Sequence, residues 1–207
     1  IPAFLARVDQ PGRGGRWVRY FEETRKGFEA VAAPHLSGLS RNASAASPDA
    51  AEVTLTDFDP DGETRVVAAA LYAVSDRADA DLLEAARRMS SADRVALLRA
   101  YVGERANRRH KPGRAFERTH YRFDIVSDYG AFRDLQRHRM LTIDWQPLGT
   151  THGYVEPAAI EEAGALPDWS RVMRASADLH AALVAHGLTA AAPYAVVMAY
   201  RVRFYME

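Results

Sequence analysis

At 207 residues, 48% of them hydrophobic, the chain can bury a full core in one domain with an extra arm besides. Lys+Arg and Asp+Glu both number 27, so no overall field favours nucleic acid or an anionic membrane, and any electropositive site must be local. The lack of cysteine excludes disulfides, thiolate metal sites and a thiol nucleophile, and fits a reducing, cytoplasmic setting.

Ile1 opens the chain in place of Met, and a strand pattern runs to its last residues, so a piece of a longer polypeptide is expected. Residues 1–50 read as a helical arm and linker. Gly12, Gly14 and Gly15 form a turn, and Phe21, Arg25, Phe28 and Ala32 recur at near-helical spacing within a helix over about 17–31. Residues 33–50, rich in Ala, Ser and Pro, read as linker, and the Asn42-Ala43-Ser44 sequon within it as accidental. The compact domain is expected over 51–207.

That domain opens with a strand over 53–58. Asp59-Pro60 then offers an N-cap and N1 proline for a helix through Val74. Helices are expected near 78–89 and 92–107, the second capped by Ser91 and burying Val95, Leu98 and Val102. Residues 119–126 alternate as a half-buried strand, with Tyr121, Phe123 and Ile125 on one face and His120, Arg122 and Asp124 on the other. Ser127 can cap a helix carrying Tyr129, Phe132 and Gln136 and ending near Arg139. Pro167-Asp168 opens a long helix, with Trp169, Val172, Met173, Leu179 and Leu183 inward and Gly187 as its stop. A last strand over 194–206 turns Val196, Met198, Tyr200, Val202, Phe204 and Met206 to one face, Arg201 and Arg203 to the other. The two alternating strands should share a sheet covered by the 168–186 helix, with Tyr121, Phe123, Ile125, Val202 and Phe204 buried. Few strands among unequal helical blocks, and no Gly-rich phosphate loop after a strand, give an α+β fold with a mainly antiparallel central sheet.

Chemistry concentrates at Arg137-His138-Arg139. On a regular helix the two arginines point about 200° apart, so they share a ligand only if the helix ends there, as Thr142, Ile143, Asp144 and Pro147 imply. Two readings stay open: a cationic helix end with bidentate phosphate donors, or i,i+4 ion pairing of Asp134 and Arg133 with their neighbours on a wet face. A second basic cluster, Arg105, Arg108, Arg109, Lys111, Arg114 and Arg118, would suit nucleic acid phosphates, but no recognition motif accompanies it. The seven histidines lack metal-ligand spacing, no Gly-x-Ser-x-Gly elbow occurs, and no apolar run reaches membrane-span length. Tyr121, Phe123, Tyr200 and Phe204 read as core.

The order Phe116-Glu117-Arg118, Tyr121-Arg122-Phe123-Asp124-Ile125, helix, Arg137-His138-Arg139 resembles the flavin-dependent thymidylate synthases over roughly residues 51–207. These run Phe-Glu-His, a Phe-Thr-Phe-Glu-Ile-like strand, a helix, Arg-His-Arg, then Ser-Phe-Asn-Glu-x-Ser-x-Arg. The resemblance implies FAD held by Arg137, His138, Arg139, Arg118 and Glu117, and a dUMP contact from Gln146. It also implies reductive methylation of dUMP to dTMP, with methylenetetrahydrofolate and NADPH as co-substrates. A homo-oligomer, dimer or tetramer, would place 137–147 near a subunit contact. Three departures fall on the nucleotide side: Pro147 for serine, Gly149 for arginine and Trp145 for a carboxylate. They point alternatively to a non-catalytic structural or regulatory copy of the fold, or less directly to a nucleic-acid-binding module. The Ala192-Pro193 run matches the family's approach to an Asn-Leu-Arg helix.

Overall fold

The computed structural model describes residues 14–39 and 52–207, which fall in two units divided between residues 43 and 44. The expected domain boundary near residue 50 lies outside the described residues. In the first unit, helix α1 spans Gly15–Leu36, running past the residue where linker was expected. Pro34 forfeits one intrahelical bond, but Ser37 secures the last turn: its N–H bonds Ala33 O at 3.2 Å and its Oγ bonds Pro34 O at 2.8 Å.

The second unit is built on an antiparallel sheet of order β1-β2-β4-β3, comprising β1 (Val53–Phe58), β2 (Tyr121–Asp128), β4 (Arg201–Met206) and β3 (Ile143–Trp145). With its helices, this is the expected α+β fold. Alternation drives the central pair: Ile125 faces Phe204, and Ser127 faces Val202. Ile125, Val202 and Phe204 are buried together with Phe132 of helix α5 (Tyr129–Leu135). Asp128, one residue after the expected cap, accepts from Ala131 N at 2.8 Å and starts α5 directly from the strand. Tyr129 N then bonds Tyr200 O at 2.9 Å, fixing α5 against the strand end.

Four expectations are corrected here. Helix α5, not the 168–186 helix, covers the apolar sheet face, because Phe132 fills it at centroid distances of 4.7 Å to Phe204 and 5.4 Å to Trp145. The long helix α7 (Leu166–Ala185; α6 is Ala158–Glu162) packs instead on a 3-10 turn at Ala192–Ala195. Its Ser176 Oγ bonds Ala195 O at 2.6 Å and accepts from Val197 N at 3.3 Å. Those bonds satisfy the backbone that a strand over 194–200 would need, so β4 begins only at Arg201. Val172 and Leu179 of α7, expected inward, are exposed. Tyr121 is 54% exposed, since it pairs with Phe58 at an end of the sheet that α5 does not reach.

Before β2, helices α2 (Gly62–Tyr72), α3 (Asp79–Arg88) and α4 (Ser91–Val102) form a separate layer around Val67, Ala68, Leu82 and Ala86. Asp59 does not cap α2 at Pro60. Its Oδ1 accepts from Asp61 N at 2.9 Å in a local turn, and the helix starts at Gly62. Ser90, not Ser91, caps α4 through Asp93 N at 3.1 Å, and Gly103 at φ 62° ends it short of the expected 107. Leu97, Leu98 and Tyr101 pack inward from α4; Val95 and Val102 line an open apolar hollow.

Because Phe132 is fully buried, Phe132→Ala should cost about 3–5 kcal/mol. That corresponds to a melting point lower by roughly 10 °C, read by calorimetry or near-UV circular dichroism.

Candidate functional site

Helix α5 stops at Leu135, so Arg137, His138 and Arg139 lie beyond it in successive turns, all exposed. Beyond the helix end Asp134 ion-pairs with Arg137, three residues on, and Leu141 N turns back to His138 O at 3.1 Å. Asp134 thus serves Arg137 and not His138. Thr142 and Glu207 then exchange backbone bonds of 3.1 and 2.9 Å, tying the turn to the end of β4.

Phe116-Glu117-Arg118 sits on a 3-10 turn, Arg114–Arg118, against α2. Its seat is tight. Tyr101 OH accepts from Ala115 N at 3.2 Å, and a Cβ on Gly113 would come within 2.0 Å of that hydroxyl. A Cβ on Gly62 would meet Thr119 Oγ1 at 2.2 Å, so the start of α2 closes directly on the segment entering β2. Glu117 takes a forked bond from Arg114 at 2.8–3.1 Å, and that bond holds its carboxyl below the usual range. Arg118 lies 4.0 Å from Asp79.

Strand register brings the two motifs to one end of the sheet. Phe123 of β2 pairs with Met206 of β4, which pairs in turn with Ile143 of β3. The residues entering β2 and those entering β3 are therefore separated by two strand steps, about 10 Å. Gln146 lies on the opposite, polar sheet face, its N–H bonded to Arg203 O at 2.9 Å. It borders a hollow of about 420 Å³ with Arg122, Asp124, Asp144, Arg203 and Tyr205. Trp145, where the resemblance calls for a carboxylate, is half exposed and turns its ring edge-on to Phe132.

Charges on this face are largely matched. Arg203 grips Asp124 through Nε at 3.0 Å to both carboxylate oxygens, with a further bond from its terminal nitrogen. Arg122 stacks 3.6 Å from the Tyr205 ring centre and lies 3.5 Å from the Glu207 carboxylate. Arg201 pairs with Glu52 at 2.7 Å. Sequence alternation had marked Arg122, Asp124, Arg201 and Arg203 as the polar face. Their pairing, and the approach of His152, carried no sequence signal. In the second basic cluster, Arg105 donates to His110 O at 2.6 Å, while Arg114 and Arg118 face carboxylates. Half of that cluster is thus spent inside the fold. Among the described residues no helix is long and apolar enough to cross a membrane.

No family model matches the chain. A UPF0159 protein of Chlamydia pneumoniae is 32% identical over 209 aligned positions, covering 100% of this chain and 38% of that protein. A UPF0159 protein of Chlamydia muridarum is 37% identical over 152 positions, 73% of this chain and 28% of that protein. The chain thus spans well under half the length of these curated relatives. Among solved structures, the UMP/dUMP methylase PolB of Streptomyces cacaoi, bound with 5-Br dUMP, superposes with a TM-score of 0.52 at 17% identity. The match covers 74% of this chain and 70% of that one. The flavin-dependent thymidylate synthase ThyX of Helicobacter pylori, complexed with FAD and dUMP, gives 0.49 at 17% identity over 75% and 77%. The likeness to PolB establishes a shared fold.

His152 supplies a pH handle on this face. Burial, then the positive charge of Arg203, lower its pKa from the ordinary 6.5, with Asp124 opposing. The folded state therefore binds the proton less readily than the unfolded chain. His152 contributes stability that is full above about pH 6.5 and lost as pH falls through its lowered value. A histidine NMR titration should place its midpoint below 6.5, and His152→Gln should flatten the acid side of the stability profile.

Proposed function

We propose that residues 52–207 act as a flavin- and nucleotide-binding domain of the flavin-dependent thymidylate synthase type, on a uridine nucleotide. The observation that supports this reading is that β2, which follows Phe116-Glu117-Arg118, and β3, which follows Arg137-His138-Arg139, are entered from the same sheet end with only β4 between them. Support also comes from the fold shared with a protein described as a UMP/dUMP methylase.

The exposed turn suits the pyrophosphate of FAD. Among the described residues, His138 and Arg139 have no carboxylate within ion-pair distance, and Arg137 is held only by an exposed Asp134. Leaving the helix at Leu135 frees the side chains from the ~100° spacing that would splay them. Arg139 donates bidentately, Arg137 can exchange Asp134 for a phosphate, and His138 adds a donor. When bound, the flavin supplies the hydride, in a reaction that draws on methylenetetrahydrofolate and NADPH. The chain's own part is to hold and orient. Glu117 and Arg118 join the flavin side only by releasing Arg114 and Asp79. Because the sheet end is open, enclosing a ligand as large as FAD calls for a second surface near 137–147, as a dimer or tetramer would provide.

The nucleotide side is weaker. Pro147 brings neither hydroxyl nor N–H, and Gly149 no guanidinium. Arg122 and Arg203 border Gln146, but each is held by a carboxylate and substitutes for the missing donors only by giving it up. These losses favour, as a second reading, a copy of the fold that binds without catalysis.

A charge-assisted contact contributes about 1.5–3 kcal/mol, so Arg137→Ala with Arg139→Ala should weaken FAD binding at least ~10-fold while the circular dichroism spectrum stays unchanged. A spectral titration reads this, and an unmodified chain without flavin affinity removes the cofactor assignment.

Two lost phosphate donors cost about 3–6 kcal/mol, or two to four decades in nucleotide affinity. Tritium release from 5-³H-dUMP with methylenetetrahydrofolate and NADPH should therefore be near background for the 207-residue chain. Turnover comparable to an intact thymidylate synthase control would show the altered motif to be a working variant.

A further inference from the structure

Helix α1 has an apolar seam for which the first unit offers no cover. Trp17, Phe21, Thr24, Phe28, Val31 and His35 follow one another in alternating steps of four and three residues. That is the 3.5-residue period that keeps a seam facing another helix, in contrast to the broader 3.6-period stripe of a helix lying on a globular core. Trp17, Tyr20, Phe21 and Phe28 are 49%, 61%, 55% and 72% exposed. At roughly 150–250 Å² per aromatic side chain, these four still offer about 350–600 Å². With exposed Val31 on the same seam, each helix approaches the ~600 Å² per partner at the low end of specific interfaces.

We propose that α1 is a self-association element, pairing antiparallel with α1 of a second copy of this chain. Antiparallel pairing sets each large seam residue against a smaller one: Trp17 on His35, Phe21 on Val31, Thr24 on Phe28 of the other copy. Parallel pairing would stack Trp on Trp, Phe on Phe and Thr on Thr, alternating clashes with gaps. On one flank, Gly27 meets its own equivalent at the two-fold axis, and nothing lies within 4 Å of where its Cβ would be. On the other flank Arg25 meets Arg25, each neutralised by Glu29 of its own helix at 2.7 Å. The first turn of α1 has no acidic residue to match the helix dipole. In the antiparallel pair, the negative C-terminal end of the partner helix lies there instead. The oligomer that the flavin reading calls for near 137–147 belongs to the other unit, and the glutamate and cysteine variants within α1 read the α1 contact apart from it.

The test uses the full 207-residue chain, whose lack of cysteine makes single-cysteine crosslinking unambiguous. Sedimentation at micromolar concentration should show a reversible dimer, and Phe21→Glu with Phe28→Glu should weaken it at least ~10-fold, given the reliance of interfaces on central aromatic anchors. The melting point of the rest of the chain should stay unchanged. Gly27→Cys should form an intermolecular disulfide under mild oxidation. Trp17→Cys should not, because its equivalents would lie about 27 Å apart at ~1.5 Å per residue. A monomeric unmodified chain, with or without affinity for lipid vesicles, overturns the proposal. So does a dimer indifferent to the glutamates, or efficient crosslinking through Trp17→Cys.

Discussion

The pairing of β4 on both edges governs the geometry of the candidate site. β4 contributes only Arg201–Met206, yet it takes β2 along one side and β3 along the other. Without it, β3 would be three residues of extended chain with no partner, and the Arg137–Arg139 turn would have nothing to end against. Two features hold β4 in register. Val202 and Phe204 are buried under Phe132, so a one-residue slip would expose both and bring Arg203 inward. On the other face Arg203, which lies opposite Val126, locks diagonally to Asp124 two residues along β2. One face thus penalises a wrong register by burial, the other by an unpaired, partly shielded charge.

That second device has a chemical consequence. An arginine held bidentately by a partly shielded carboxylate is poorly available to a ligand, since binding would leave Asp124 without its partner. The face around Gln146 is rich in cations but nearly balanced, whereas Arg139 and His138 stand on an exposed turn clear of carboxylates among the described residues. The unmatched positive charge therefore lies at the sheet end more than on the sheet face. The polar face fits a role in fixing strand order, with His152 as a neutral neighbour of an existing positive charge.

Much of this was legible in the chain. Period-two alternation located β2 and, as the second half of the expected 194–206 strand, β4, and the near-helical spacing of Phe21, Arg25, Phe28 and Ala32 located α1. Failures occurred where a nonlocal partner decided the outcome. Residues 194–200 alternate as well as a strand does, yet Ser176, distant in sequence, claims the carbonyl of Ala195 and the N–H of Val197, just where a 3-10 turn ends. The apolar face of α7 reads as a sheet cover, but the much shorter α5, carrying Phe132, reaches that face first. β3 escaped notice because Trp145 was read as a lost carboxylate and not as a strand residue. In the site, the clustering of Arg137-His138-Arg139 was visible, but the partners of Glu117 and Arg118 were not, since nothing in the sequence pairs Asp79 with Arg118.

The substitutions after Arg139 are better understood from β3 outward. Ile143 and Trp145 turn toward the Phe132 core, and Asp144 and Gln146 toward the polar face, so this segment obeys strand alternation strictly. Trp145 is 47% exposed and meets the Phe132 ring edge-on, a contact that a carboxylate at this position would lose. The bonds to β4 fall on alternate residues, Thr142 and Gln146 among them, so position 147 faces the open edge, where the missing N–H of Pro147 costs the ladder nothing. Trp145 packs edge-on to Phe132 and Pro147 occupies a tolerated edge position, both where the resemblance calls for ligand contacts. The cationic turn before β3 is exposed, while β3 itself is given over to pairing with β4 and to contact with Phe132.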